Sequence, residues 1–370
     1  MKVLLAAGGT AGHIEPALTL ADTLVRDDPQ TDIVVVGRDE GMESRLVPSR
    51  GYRLRAIPAV PMPRRPSKDL ALVPVRVSSS VRQVMAILRE EKPDVVVGFG
   101  GYVALPAYLA ARRAGIPLVI HEANGRAGLA NRVGARLTGW TAENVPGSLP
   151  RATRVGMPLR PQIVDLAAAA ADRQERQRQA REHFGLEPDR PTLLVFGGSL
   201  GALHLNEVVS ACADDLGAAG VQVLHVVGEK AAGVAPIAQR DPGRPRYCVV
   251  PYVDRMDLAY AAADLAVCRA GAMTCAELAA VGLPAVYVPL PIGNGEQRLN
   301  AQPVVNSGGG LIVDDADFST QVMRDTVIPL VGNAALLQRM REAARQHGVR
   351  DGDRRLADLV RAAAATGGRR

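Results

Sequence analysis

The sequence predicts an α/β protein built from two Rossmann-like domains in tandem, on three observations. Short β-branched and leucine-rich runs alternate with helical patterns along the chain, the signature of parallel sheets covered by helices on both faces. One strand, turn and helix pattern occurs twice, Val3-Leu-Leu-Ala-Ala-Gly-Gly-Thr-Ala-Gly12 being echoed by Thr192-Leu-Leu-Val-Phe-Gly-Gly-Ser-Leu-Gly201. A second pair follows the same order: Ala114-Gly-Ile-Pro-Leu-Val matches Val281-Gly-Leu-Pro-Ala-Val, each a glycine that can end a helix and a proline that opens a strand.

In chain order the predicted strands are Val3–Ala7, Ile33–Val36, Val95–Val97, Leu118–Ile120, Leu193–Phe196, Val223–Val227, Leu265–Val267 and Ala285–Val288. Each is a short continuous apolar run, as expected of a strand buried on both faces. The prolines and glycine of Gly156-Met-Pro-Leu-Arg-Pro161 interrupt the pattern and mark a domain boundary. Beyond it, Ile163–Phe184 reads as one Ala-, Arg- and Gln-rich helix, and Asn333–Ala365 is again helical. The expected division is therefore 1–160, 161–340, and a C-terminal helical segment 341–370 returning to the first domain.

The 370 residues leave room for two sizeable cores, at about 100–200 residues per domain. With 47% hydrophobic and 22% charged residues, the composition excludes a disordered chain and a fibrous repeat. Aromatic residues make up only 3%, with Trp140 the single tryptophan, so there is no stacking platform for nucleic acid and none is expected as partner. The net charge of +6 is local: Arg50, Arg53, Arg55, Arg64, Arg65, Lys68, Arg76, Arg82, Arg89 and Lys92 face only Asp69, Glu90 and Glu91 in the same segment. Such a segment in an otherwise near-neutral chain points to an anionic surface, either nucleic acid or anionic lipid, of which the low aromatic content favours lipid. Cys212, Cys248, Cys268 and Cys275 have neither metal nor redox spacing and sit among apolar residues, so a reducing cytoplasm is expected. The apolar run at Met1–Ala7 is too short for a signal peptide, and no stretch approaches the ~20 apolar residues of a membrane span.

A glycine-rich turn between strand and helix admits a ligand close to the backbone and aims helix N–H groups at an anion. Neither turn fits the dinucleotide fingerprint Gly-x-Gly-x-x-Gly, which argues against NAD. Two such turns in matching positions, with Gly98-Phe-Gly-Gly-Tyr102, favour a ligand site over tight packing alone. His13 follows the first turn at the sheet edge where open α/β sheets bind ligands, and an imidazole of pKa about 6.5 suits proton transfer. Its simpler reading is a helix-terminal polar residue. Asn124 follows a predicted strand at the same edge, whereas neighbouring His121 reads better as a supporting histidine.

In Cys268-Arg-Ala-Gly-Ala-Met-Thr-Cys-Ala-Glu277, a strand, a small-residue turn and a helix start make an anion site suited to a diphosphate. Glu277 lies one turn on, placed to take both hydroxyls of a ribose or, more simply, to favour the helix dipole. Arg160 and Arg269 are candidate diphosphate ligands because a guanidinium binds phosphate bidentately. The loop Pro291-Ile-Gly-Asn-Gly-Glu-Gln-Arg-Leu-Asn300 is dense in the side chains that sugars require, and Asn294, Glu296 and Gln297 are its candidates.

Together these segments resemble the ordered motif set of the MurG family of bacterial N-acetylglucosaminyltransferases. The resemblance rests on Gly8-Gly-Thr-Ala-Gly-His-Ile-Glu-Pro-Ala17, Gly98-Phe-Gly-Gly-Tyr-Val103, His121-Glu-Ala-Asn-Gly-Arg-Ala-Gly-Leu-Ala-Asn131, Gly197-Gly-Ser-Leu-Gly-Ala202, Cys268 to Glu277, and Gly295-Glu-Gln-Arg-Leu-Asn-Ala301. It implies a GT-B fold, with two parallel sheets facing across a cleft. It also implies transfer of N-acetylglucosamine from UDP-N-acetylglucosamine to the 4-hydroxyl of the muramyl sugar of lipid I, giving lipid II with inversion, in peptidoglycan synthesis and hence in cell shape and division. On the donor side it implies Thr10, Gly12, Arg160, Ser199, Tyr252, Val253, Arg269, Ala272, Met273, Thr274, Glu277, Glu296 and Gln297. Among these, Tyr252 and Val253 would meet uracil and Glu277 the ribose. On the acceptor side it implies His13, Tyr102 and Asn124, with His13 the catalytic base.

Two positions depart from the family pattern. Leu200 stands where members commonly carry Gln, and Glu296 where some carry Gln, so weaker donor contacts are expected there. No Asp-x-Asp motif accompanies the donor residues, so neither a cofactor nor an essential metal is expected. The basic segment falls on the acceptor half, where Leu70–Val77 and Val84–Arg89 interleave apolar residues with arginines. This suggests peripheral docking on the inner face of the cell membrane, with wall-synthesis proteins as further partners. The rival readings are a UDP-sugar transferase for another lipid or small-molecule acceptor, a UDP-sugar 2-epimerase, and a weakly active UDP-sugar-binding scaffold.

Overall fold

The computed structural model describes residues 1–58, 68–169, 172–198, 202–228, 245–292 and 294–367, with backbone alone over 68–74. It forms two compact units: Met1–Arg160 with Asp351–Arg370, and Pro161–Arg350.

The first unit holds a seven-stranded sheet in the order β3-β2-β1-β4-β5-β6-β7, all pairs parallel. Its strands are β1 Lys2–Ala7, β2 Asp32–Gly37, β3 Arg53–Ala56, β4 Val95–Gly100, β5 Leu118–Glu122, β6 Trp140–Glu143 and β7 Thr153–Arg154. Central β1, β4 and β5 are buried almost end to end, which is why their sequences read as unbroken apolar runs. Val3 pairs with Val95 and Ala6 with Gly98, but Ala7 pairs with Gly100, an irregularity at the C-terminal edge. It sets the glycines that follow both strands side by side.

The second unit holds six parallel strands in the order β10-β9-β8-β11-β12-β13. They are β8 Thr192–Phe196, β9 Gln222–Val226, β10 Tyr247–Val250, β11 Leu265–Cys268, β12 Ala285–Tyr287 and β13 Gly310–Ile312. In both units β-strand order reverses beside the central strand, so each has a switch point where its glycine-rich turn leaves the sheet.

Two helical expectations are revised. Ile163–Phe184 is not one helix but two, Pro161–Ala168 and Arg173–His183. Likewise Asn333–Ala365 contains Ala334–His347, which stays in the second unit, and Gly352–Gly367, which belongs to the first. The returning segment thus starts near residue 351 and not 341. Leu356, Ala357, Val360 and Ala363 join the core beside Leu18, Leu20 and Leu24, while Thr23 Oγ1 donates to Asp353 at 2.8 Å.

The basic segment is also less available than its composition suggests. Arg50 pairs with Asp22 and Glu15, Arg53 with Asp32 and Glu91, and Arg55 with Glu90 and Glu91. Three of these acids, Glu15, Asp22 and Asp32, lie outside the segment and are brought to it by the helix Ala11–Asp27 and by β2. Val84, Ile87 and Leu88 are core residues, which corrects the interfacial reading of Val84–Arg89. Arg64 and Arg65 lie outside the described residues, as do the side chains of the Leu70–Pro74 part of the first stretch. Of the cysteines, Cys212, Cys268 and Cys275 are buried, Cys248 is half-buried, and all are free thiols. Among the described residues no helix is long and apolar enough to cross a membrane.

Candidate active site

In the first unit the turn after β1 and the turn after β4 pack directly on each other. Gly101 has φ +87°, and a Cβ there would strike the Gly8 carbonyl oxygen, so neither the conformation nor the contact admits a side chain. Gly100, at φ +96°, brings its backbone against His13: a Cβ would lie 3.3 Å from Nε2. The helix Ala11–Asp27 starts after Thr10, whose side chain caps no backbone N–H and instead lies 3.3 Å from His13 Nδ1. The half-buried imidazole is therefore held between Thr10 and Gly100. Burial lowers its pKa from the usual 6.5, against the opposing effects of a hydrogen bond to the Gly8 backbone and the charge of Glu43. Burial thus favours its neutral form. Gly12 is half-buried in the same helical turn.

Beneath the first turn lies Glu43, 1% exposed, whose Oε1 accepts the Gly9 N–H at 2.7 Å. Above it the exposed ring of Tyr102 stands over Gly9, within 3.6 Å of where a Cβ would be. Asn124 is set by a second buried carboxylate, Glu122. Its Oε1 accepts the Asn124 backbone and side-chain N–H groups at 2.9 and 3.3 Å, and its Oε2 accepts those of Gly128 and Asn131 Nδ2 at 3.1 and 2.9 Å. Burial nonetheless raises its pKa. Tyr108 donates to Asn131 Oδ1 at 2.7 Å, so Asn131, which also borders Gly100, is fixed from both ends. The structure thus brings Thr10, His13, Tyr102 and Asn124 to one sheet edge. His121 is fully buried, donates from Nε2 to the Gly156 carbonyl at 2.8 Å, and is pushed down to a pKa of about 4 by burial, the supporting role expected of it.

In the second unit Gly271 precedes the helix Ala272–Val281, and Ala272, Met273 and Thr274 are half-buried at its start. The approach to this helix is clamped by the neighbouring helix Glu296–Asn306. Gln297 Oε1 accepts the N–H groups of Ala270 and Leu290 at 3.1 and 2.9 Å, and Asn300 Nδ2 donates to the Ala270 carbonyl at 3.1 Å. Glu296 is bound to its own loop, accepting the Asn294 N–H at 3.0 Å. Glu277 is only 3% exposed and accepts the Tyr260 hydroxyl proton at 2.8 Å. Tyr252 is exposed after β10 and Val253 is buried beside it.

Arg269 is a correction. Only 6% exposed, its Nη1 binds Asp315 and the carbonyls of Val288 and Pro289 and ties β11 to the following loops, so that nitrogen is not offered to a diphosphate, while the buried Nε has no partner among the described residues. Arg160, half-buried, ends the first unit. Ser199 and Leu200 lie outside the described residues.

Comparison with known proteins gives this arrangement a family. The model of the glycosyltransferase family 28 N-terminal domain matches residues 3–144, and that of its C-terminal domain matches residues 192–356. The chain is 56% identical to the UDP-N-acetylglucosamine–N-acetylmuramyl-(pentapeptide) pyrophosphoryl-undecaprenol N-acetylglucosamine transferase of Acidothermus cellulolyticus, over 99% of this chain and 98% of that one. It is 54% identical to the transferase of the same name from Streptomyces coelicolor, over 100% of both. The crystal structure of Acinetobacter baumannii MurG superposes with a TM-score of 0.77 at 28% identity, covering 98% of this chain and 99% of that one. The chain belongs to the MurG family of glycosyltransferases.

The MurG-family fold therefore has the GT-B architecture, and both glycine-rich turns lie inside matched regions. Sequence reasoning missed Glu43, Glu122 and Asn131 as parts of the site. Only Glu122 and Asn131 had a signal, standing within the MurG-family segment His121–Asn131. Glu43 sits in the first turn of the helix Met42–Ser49, where an acid ordinarily reads as dipole placement.

Proposed function

We infer that this chain is an inverting glycosyltransferase that moves N-acetylglucosamine from UDP-N-acetylglucosamine to the 4-hydroxyl of the muramyl sugar of lipid I, forming lipid II in peptidoglycan synthesis. The observation that carries this reading is 54% identity, end to end, to a relative named for that reaction.

In the proposed mechanism the acceptor 4-oxygen attacks the anomeric carbon, the bond from that carbon to the UDP oxygen breaks, and His13 takes the hydroxyl proton. The lowered pKa of His13 supports this, since a base must be unprotonated at working pH. Tyr102 and Asn124 orient the acceptor. On the donor side, Thr10 and Gly12 approach the sugar and phosphates from the first turn. The N–H groups of Ala272, Met273 and Thr274 meet the diphosphate, supported by roughly half a positive charge at a helix N-terminus. Arg160 and Ser199 complete the phosphate contacts, and with this neutralisation no essential metal is proposed. Glu277 holds the ribose, Tyr252 and Val253 the uracil, and Glu296 and Gln297 the donor sugar. The Gln297 carbonyl is already committed to Ala270 and Leu290, which leaves its amide N–H groups for that purpose.

We further propose peripheral docking on the inner face of the cell membrane, through the helix Lys68–Glu91. Its outward positions include Val75, Arg82 and Arg89, spaced seven apart along one face. The deciding experiment offers labelled UDP-N-acetylglucosamine with a lipid I analogue. Formation of the lipid-linked disaccharide supports the reading; free sugar, epimerised nucleotide sugar or no product sinks it.

A further inference from the structure

A cavity in the second unit is lined at one end by Gly282 and Leu283, beyond the C-terminus of the helix whose other end is proposed to face the donor. Four arginines face it: Arg173 and Arg176 from the helix Arg173–His183, and Arg341 and Arg345 from Ala334–His347. The acid beside them is Asp264, already serving Arg181 at 2.7 Å, Gln177 at 3.0 Å and the Thr192 N–H at 2.9 Å. Arg173 reaches it only at 3.9 Å. Of the other acids on these helices, Glu175 pairs with Arg178 and Gln179, Glu342 with Gln338, and Glu182 is exposed to solvent.

Arg341 is the sharpest case. It is only 8% exposed, yet its Nη1 donates to a neutral acceptor, the Gln338 Oε1 at 3.2 Å. Burial, reinforced by the charges of Arg173 and Arg345, pushes it down to about 10. Arg345 spends one donor on the Ala167 carbonyl at 3.0 Å. Cations are seldom buried together without an anion, because desolvation and mutual repulsion both oppose it.

We propose that this arginine-lined cavity is a binding site for a compact phosphate-class oxyanion, separate from the diphosphate site at Ala272–Thr274. Guanidinium groups converging from two helices offer forked donors suited to tetrahedral oxygens. The four arginines do not rest on the transferase reading, but Tyr260 also lines the cavity and donates to Glu277, so the donor site is kept occupied in the test.

The test is calorimetric titration of inorganic phosphate into the full-length chain held saturated with UDP, against chloride at matched ionic strength. A prior UDP titration reports on the donor site by itself. The expected result is saturable phosphate binding, weakened about tenfold or more by Arg341→Gln and by Arg345→Gln, as removal of a charge-assisted hydrogen bond predicts. In phosphate-free buffer Arg341→Gln is expected to melt at or above wild type, and to lose the stabilisation that phosphate confers on the parent. Absence of phosphate binding, binding indifferent to both substitutions, or equal destabilisation of Arg341→Gln with and without phosphate overturns the site.

Discussion

The carboxylate of Glu43 accepts the Gly9 N–H at 2.7 Å and lies close enough to His13 to raise the affinity of its imidazole for a proton. One buried acid thus shapes the glycine turn and sets the charge seen by the proposed base. Transfer is expected to rise with pH through the pKa of His13 and level off above it. Because burial places that pKa below 6.5, the plateau includes neutral pH. Glu43→Gln keeps an acceptor for Gly9 but removes the charge, so the acid limb of kcat moves to lower pH while the donor KM stays constant. A limb that stays in place would show that the charge does not reach His13. His13→Ala removes the limb and about 10²–10⁴-fold of kcat, with the donor KM intact.

Glu277 and Tyr260 make the corresponding pair on the donor side. Glu277→Ala is expected to raise the donor KM at least about tenfold, since ribose hydroxyls donate to a carboxylate and such bonds are worth ~1.5–3 kcal/mol each. Tyr260→Phe leaves the carboxylate but frees its orientation, and a rise of only a few-fold in KM at unchanged kcat is expected. Saturation curves over UDP-N-acetylglucosamine separate the two, and an unchanged KM in Glu277→Ala contradicts the ribose role.

Gly101→Ala is expected to abolish most activity and to lower stability by more than the ~1–3 kcal/mol of a strained backbone conformation, because the methyl also meets the Gly8 carbonyl. Gly115→Ala is the control. That residue also has positive φ, +71°, but a Cβ there meets nothing within 4 Å, so it carries the backbone cost alone. Equal melting midpoints and equal activities for the two variants would mean that the turns tolerate separation.

If the helix N-terminus and Arg160 neutralise the departing diphosphate, chelators leave turnover unchanged. Steady-state rates after exhaustive treatment with a divalent-cation chelator check this, and a loss restored by added magnesium would reverse it.

The parts of the fold visible in the sequence were those with continuous signals. Val3–Ala7 and Leu193–Phe196 are apolar along their length and end in glycines, and both sit at the centre of a sheet. Five strands escaped: β3, β6, β7, β10 and β13. All are short; β3 and β7 carry no apolar run and are largely exposed, whereas β10 is a four-residue apolar run, Tyr247–Val250, that is only partly buried. Motif residues on one turn, such as Thr10 and His13, come together because the chain places them there. The Nη1 side of Arg269 was not legible as a structural tie because its partner Asp315 lies 46 residues away and is delivered by the fold. The basic segment failed similarly: Asp22 and Asp32 neutralise Arg50 and Arg53 only after the β1, β2 and β3 strands are aligned. Val84, Ile87 and Leu88 did carry a legible signal, a helical core stripe.

Those ion pairs make the membrane prediction specific. Arg50, Arg53 and Arg55 are spent within the first unit, so the charges available to an anionic leaflet include the exposed Arg82 and Arg89 on the outward face of Lys68–Glu91. At ~1 kcal/mol per arginine near such a surface, Arg82→Gln with Arg89→Gln is expected to weaken binding to vesicles containing anionic lipid roughly thirtyfold. Arg50→Gln should leave binding unchanged, although it costs some stability through Asp22 and Glu15. Neutral vesicles should bind all three proteins weakly and alike, and raised salt should erase the difference on anionic ones. Flotation at several lipid compositions measures each arm. Equal binding of the parent chain to neutral and anionic vesicles, or a loss in Arg50→Gln matching that of the double variant, would place the docking surface elsewhere.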